Sequence, residues 1–235
     1  MNIEKALIIR RVSIPTSMEY AQYCADSCKE FGLDFEYIDG IENVSRENAY
    51  SSVGVEADPS LKNSQGHDCC TASHIKAWRR IIELDSACLI FEHDSVLKGS
   101  ISGINIDDAS VVILGHRIVD HNLYTPETPF QELLEVDKAI GTHAYAITPN
   151  TASALVADFE VNKVRHNLDH YLMFYKHSGL PLFVVEPPQA VCWPRMASRE
   201  STPDNLFDFI GSTWTVTSSL KPGWYKGLGL DKNSE

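Results

Sequence analysis

The stretch from Cys70 to Ser95 constrains the fold more than any other part of the chain. Ile75, Trp78 and Ile82 fall at i, i+3 and i+7, with Ile81 flanking them, so one face of a helix is expected to be buried. Asp68 or Thr71 stands where a helix start needs a cap. Asp85 and Ser86 break the period. Ala87 to Phe91 is then an uninterrupted apolar run, which suits a central strand covered on both faces. Directly after it come Glu92, His93 and Asp94, three side chains able to bind a metal ion or a proton. Ligands of an open α/β sheet bind at the carboxyl ends of its strands. The acidic triplet therefore marks the expected site.

The remaining segments fit the same architecture. Ala6 to Ile9 reads as a buried strand ended by Arg10 and Arg11, followed by a helix that Ser17 can cap and that Gly32 closes after Phe31, with Tyr20, Cys24 and Phe31 inward. Asp34 to Ile38 is a second strand, ending in Asp39-Gly40. Strand, helix and strand in so short a span open a βαβ pattern and a parallel sheet. Arg46 to Ser51 suits a short helix, and the Gly-, Pro- and Ser-rich text from Ser52 to Gly66 suits a loop. Val111 to Leu114, Gly141 to Thr148 and Leu182 to Val185 read as further strands. A helix capped by Asn150 and another beginning at Asn167-Leu168-Asp169 and running to Lys176 lie between the last two. The expected architecture is a single α/β domain over 1–235, a mostly parallel sheet flanked by helices, with 186–235 packing over it through Trp214, Trp224 and Tyr225.

Charge narrows the partners. A formal net charge of -12 argues against nucleic acid or an anionic membrane as the main partner, yet permits a phosphorylated small molecule bridged by a divalent cation. No apolar run is long enough to span a bilayer and the Met1 end carries no long apolar h-region, so a cytoplasmic setting is expected. The six cysteines lack a CxxC pair and are read as reduced thiols. His166 and His170 have i, i+4 spacing that can clip a metal, but a helix start flanked by surface histidines accounts for it as well.

Cys70-x-x-Ser73-His74, then Trp78, then the apolar strand closing on Glu92-His93-Asp94, resembles glycosyltransferase family 25, the lipopolysaccharide-biosynthesis and procollagen galactosyltransferases. Ala6 to Arg11, Phe35 to Gly40, Gly141-Thr142 with Ala144 to Ile147, Leu168-Asp169 and Glu186-Pro187-Pro188 follow in the family's order. The resemblance implies a GT-A-like fold and transfer of a sugar, galactose or glucose, from a UDP-sugar to a saccharide or other hydroxyl acceptor. It also implies Mn²⁺ or Mg²⁺, which neutralises the departing diphosphate. Two positions depart from the family pattern: His93 replaces the middle acid, and Cys69 replaces a glycine.

On this reading Glu92 and Asp94 hold the metal, since alternate residues of an extended chain share a side. Arg10, Arg11, Asp39, His74, Glu92 and His93 line the nucleotide. Asp169 is the base that an inverting transfer needs, with Glu186 second. The 52–66 loop is expected to order over the donor. Each assignment has a plainer counterpart: surface charge for the arginines, a turn for Asp39, a core histidine for His74 and a helix cap for Asp169. Three other functions stay open: a nucleotide-sugar binder without transfer, a metal-dependent hydrolase or nucleotidyltransferase, and an interaction protein.

Overall fold

The computed structural model describes residues 1–115, 132–136, 142–172, 175–186 and 188–192. The buried strand expected before the acidic triplet is β3 (Ala87–Glu92), and its first five residues are fully buried. It lies beside β1 (Ile3–Arg10), which also pairs in parallel with β2 (Asp34–Asp39). β5 (Val111–Ile113), β6 (Glu132–Val136), β7 (Ala144–Ile147) and β8 (Leu182–Glu186) complete a seven-stranded sheet in the order β2-β1-β3-β7-β5-β8-β6. β7 runs antiparallel to both its neighbours and β6 antiparallel to β8, so the other five strands share one direction. The mostly parallel α/β sheet is the expected one.

Period-two alternation divides the core between two faces. Ala6, Ile8, Leu89 and Phe91 point toward α1 (Pro15–Glu30), which meets them with Ala21, Cys24, Ala25 and Cys28. Leu7, Ile9, Cys88 and Ile90 point the other way, toward α2 (Arg46–Ser51), α3 (Gln65–Leu84), α4 (Pro149–Asn162) and α5 (Leu168–Leu172). A short helix, α6 (Tyr175–Ser178), precedes β8. Outside the main sheet, β4 (Ser95–Leu97) pairs with β9 (Ala190–Cys192). The expected packing of 186–235 through Trp214, Trp224 and Tyr225 falls on 193–235, which lies outside the described residues.

Several local expectations are corrected. The cap of α3 is Ser64, whose hydroxyl accepts from the His67 amide. Asp68, one of the expected caps, is instead a buried acceptor for Arg46 and Tyr50. On the same helix Ile81 is fully buried and Ile82 is 37% exposed, the reverse of the expected emphasis. Ser17 lies inside α1 and accepts the Arg11 amide. Thr148, not Asn150, caps α4. Asn167 accepts from the His170 amide, so the capping role considered for Asp169 belongs to Asn167, two residues earlier. The 52–64 loop is pinned to the body, because Arg46 donates to the carbonyls of Leu61 and Asn63 while Val53, Val55 and Leu61 are buried. Among the described residues no helix is long and apolar enough to cross a membrane.

Candidate active site

From β1 the chain runs outward to β2, then crosses back over the sheet through α2 and α3 to enter β3 on the opposite side of β1. That reversal opens a crevice at the carboxyl ends of β1 and β3, the place where open α/β sheets bind ligands. A cavity of about 330 Å³ occupies it. Its walls are Ile9 near the end of β1 and Arg11 just after it, residues 40–43 after β2, the first turns of α3 from Ser64 to His74, and Glu92 with His93 at the end of β3. The 20-residue α3 turns its amino terminus into this space. The unpaired N–H groups and positive dipole end there suit an anion.

Glu92 is on the α3 face of its strand, as Cys88 and Ile90 are. One oxygen lies 3.6 Å from His74 Nε2, and Thr142 Oγ1 is 3.0 Å from the same carboxylate. Burial works to raise the Glu92 carboxyl, but His74, His143 and Thr142 together outweigh it and hold the group down to about 2. Thr142 Oγ1 also lies 2.8 Å from Asp169 Oδ1. Asp169 is open to solvent yet ringed by protein. That crowding and the Glu92 charge raise its carboxyl, and the Thr142 contact partly opposes the rise.

His74 is fully buried and held from behind. Its Nδ1 is 2.9 Å from the Tyr145 hydroxyl, which also accepts from Trp78 Nε1 at 2.8 Å. Cys70 lies one helical turn before His74, and burial followed by the negative charges of Glu92, Asp169 and Asp94 pushes its thiol up. Cys70, His74 and Glu92 each bring one ligand-type atom within 4.8 Å of the others. By position this cluster can hold a divalent cation. By chemistry only the Glu92 oxygen suits Mn²⁺ or Mg²⁺, whereas sulfur and imidazole favour softer ions.

The structure brings Arg11, His74, Glu92 and His93 together around the cavity. Arg10 and Asp39 adjoin lining residues in sequence but do not line the cavity. They pair with each other at 2.7 Å, and the Arg10 guanidinium sits 4.2 Å above the Tyr37 ring. The alternation assumed for Glu92 and Asp94 fails because β3 ends at Glu92 and the next two residues form a turn. Asp94 is 1% exposed, and its charge acts on Cys24 of α1 as well as on Cys70 of α3. Glu186 closes β8, three strands from β3, and its side chain lies outside the described residues. The His166 and His177 rings meet with centroids 4.2 Å apart at a 39° tilt.

Two contributors carried no role in the sequence reading. Thr142 links two acids that lie 50 residues before and 27 residues after it. Tyr145, 71 residues from His74, passes for a core aromatic. Both lie in the segment that follows the family's order, but only the β3–β7 pairing shows which groups they meet.

The family model for glycosyltransferase family 25 (LPS biosynthesis protein) matches residues 11–172. No curated protein sequence matches the chain. Among solved structures, A197 from STIV is similar at 12% identity over 86% of this chain and 99% of its own, with a TM-score of 0.39. A Drosophila beta-1,4-galactosyltransferase 7 mutant in complex with manganese, UDP-Gal and xylobiose is similar at 5% identity over 86% of this chain and 78% of its own, with a TM-score of 0.42. A glycosyltransferase involved in glycosylating the major capsid of PBCV-1 has 12% identity over 63% of this chain and 62% of its own, with a TM-score of 0.31. At these TM-scores the structural likenesses carry no argument about substrate or mechanism.

Proposed function

This chain belongs to glycosyltransferase family 25, and on that premise we propose that its cavity binds a UDP-sugar and passes the sugar, galactose or glucose, to a hydroxyl of a saccharide acceptor. The observation that carries this reading is the joining of the α3 amino terminus and the Glu92 carboxylate in one cavity at the sheet's reversal point. The first-turn amides of α3 and the Arg11 guanidinium would receive the diphosphate. Glu92 would hold Mn²⁺ or Mg²⁺, with the buried Asp94 adding negative charge behind it. When bound, the cation neutralises the leaving diphosphate.

Asp169 is the proposed base for an inverting transfer. It is open to solvent, so an acceptor hydroxyl can reach it, and its raised carboxyl lies closer to neutral pH than that of an ordinary aspartate. Thr142 would orient it. Arg10 and Asp39, paired with each other, would flank the nucleotide rather than hold its phosphates. A second reading, binding without transfer, is favoured by His93 in the acidic triplet.

Calorimetric titration of UDP with and without Mn²⁺ tests the proposal, with Glu92→Gln alongside the wild type. Metal-dependent binding that is lost in Glu92→Gln is the expected result. A wild type that binds no UDP under either condition overturns the nucleotide assignment. Binding whose metal dependence survives in Glu92→Gln overturns the role of Glu92. Release of UDP from UDP-galactose or UDP-glucose separates transfer from binding alone.

A further inference from the structure

Arg46 opens α2, outside the cavity, and its guanidinium reaches three acceptors at once. Nε donates to Asp68 Oδ2 at 2.9 Å, Nη1 to the Leu61 carbonyl at 2.8 Å and Nη2 to the Asn63 carbonyl at 2.9 Å. Asp68 lies in the first turn of α3 and is 2% exposed, and its other oxygen accepts from the Tyr50 hydroxyl at 3.0 Å. One side chain thus ties together α2, the segment before the Ser64 cap and the first turn of α3. A planar fork of donors can do this, whereas an ammonium is a point charge without fixed donor directions.

The tie holds one wall of the cavity. Ser64, Gln65, Gly66 and His67 line that wall, and Arg46 and Asp68 do not. The amides of Gln65 and Gly66 precede the helix's own hydrogen bonds, so they are available to a ligand. The Asp68 amide closes the turn on the Ser64 carbonyl at 3.0 Å. Asp68 is also the acid of that turn. An unpaired negative charge there would compete with an incoming anion for the positive end of the helix. Its ion pair with Arg46 removes that competition.

We infer that Arg46 and Asp68 are positioning residues for the donor's diphosphate. Touching none of it, they fix the turn whose amides receive it, and Arg46 cancels the one carboxylate that would oppose it. The inference rests on the proposed binding of a nucleoside diphosphate in the cavity, and it assigns to that site two residues that lie behind its wall.

Calorimetric titration of UDP in the presence of Mn²⁺ tests it, on the full chain and its variants, beside urea unfolding of each. Arg46→Gln is expected to bind UDP about ten-fold more weakly, the scale of a charge at a partly buried helix terminus. Asp68→Asn is expected to stay close to wild type. The double variant Arg46→Gln/Asp68→Asn is expected to recover part of the loss, because the competing carboxylate is gone. A role confined to stability would lower the unfolding midpoint and leave the UDP affinity of the folded protein unchanged; that result overturns the inference. A double variant that recovers nothing overturns the cancellation of charge. Arg46→Lys keeps the charge without the fork and stands in should Arg46→Gln not fold; wild-type affinity in Arg46→Lys overturns the positioning of the turn. A wild type that binds no UDP overturns the nucleotide reading and this inference with it. A wild type that binds UDP, with Arg46 variants that bind it equally well, overturns this inference alone.

Discussion

Thr142 carries one hydroxyl proton and faces two carboxylates, Glu92 and Asp169. It can donate to only one of them at a time. Asp169 is the acid raised above its ordinary value, while Glu92 is held low. If Asp169 is the base, activity requires its deprotonated form, so the acid limb of kcat/KM should lie above the usual aspartate range. Thr142→Val removes the contact that lowers Asp169. The limb should therefore move to higher pH, with the loss of rate greatest at the acid end, and a pH–rate profile of the two proteins checks this. Asp169→Asn should reduce kcat by about 10²- to 10⁴-fold while UDP affinity stays near wild type, as steady-state kinetics beside calorimetry would reveal. A different residue-scale constraint acts at Gly115. A Cβ there would meet His143 Nε2 at 2.1 Å, and the His143 carbonyl accepts the amide of Glu92 and the hydroxyl of Ser95. Gly115→Ala should cost about 1–3 kcal/mol in urea unfolding through overpacking.

Helix α3 shows how far local reading reaches. Its apolar spacing marked the helix, and the run that follows it marked β3 with its acidic end. The start was missed because Gln65, Gly66 and His67 are polar and Gly-containing, as loops are, although Ser64 is an ordinary cap residue. The emphasis on Ile82 failed because α3 buries a wide face, between the sheet on one side and α2 and α4 on others, centred on Ile75, Trp78 and Ile81. Ser64→Ala should destabilise the protein by about 1 kcal/mol. Its greater effect should be on UDP affinity, because the cap orders the turn whose amides line the cavity; denaturant unfolding and nucleotide titration of the same variant would measure both.

At the scale of the molecule, Trp78 is the joint between core and site. Phe159 of α4 packs 5.7 Å from its ring and 4.3 Å from that of Tyr171, while its indole N–H supports Tyr145. Phe159→Ala should cost about 3–5 kcal/mol in equilibrium unfolding. A variant that lost no stability would show that this contact does not bear on the core. Local, periodic features were legible along the chain: the strand–helix alternation, the buried β3, the acidic residues at its end, and the motifs that marked the family. Those follow from side-chain spacing, which a chain carries before it folds. The tertiary structure decided which groups share the cavity. Arg11 lines it while Arg10 turns to Asp39, Asp94 lies in a buried turn just after β3, and Tyr145 of β7, with Thr142 just before that strand, arrives from far along the chain. Strand order and turn geometry set those positions, and neither is written in the spacing of any single segment.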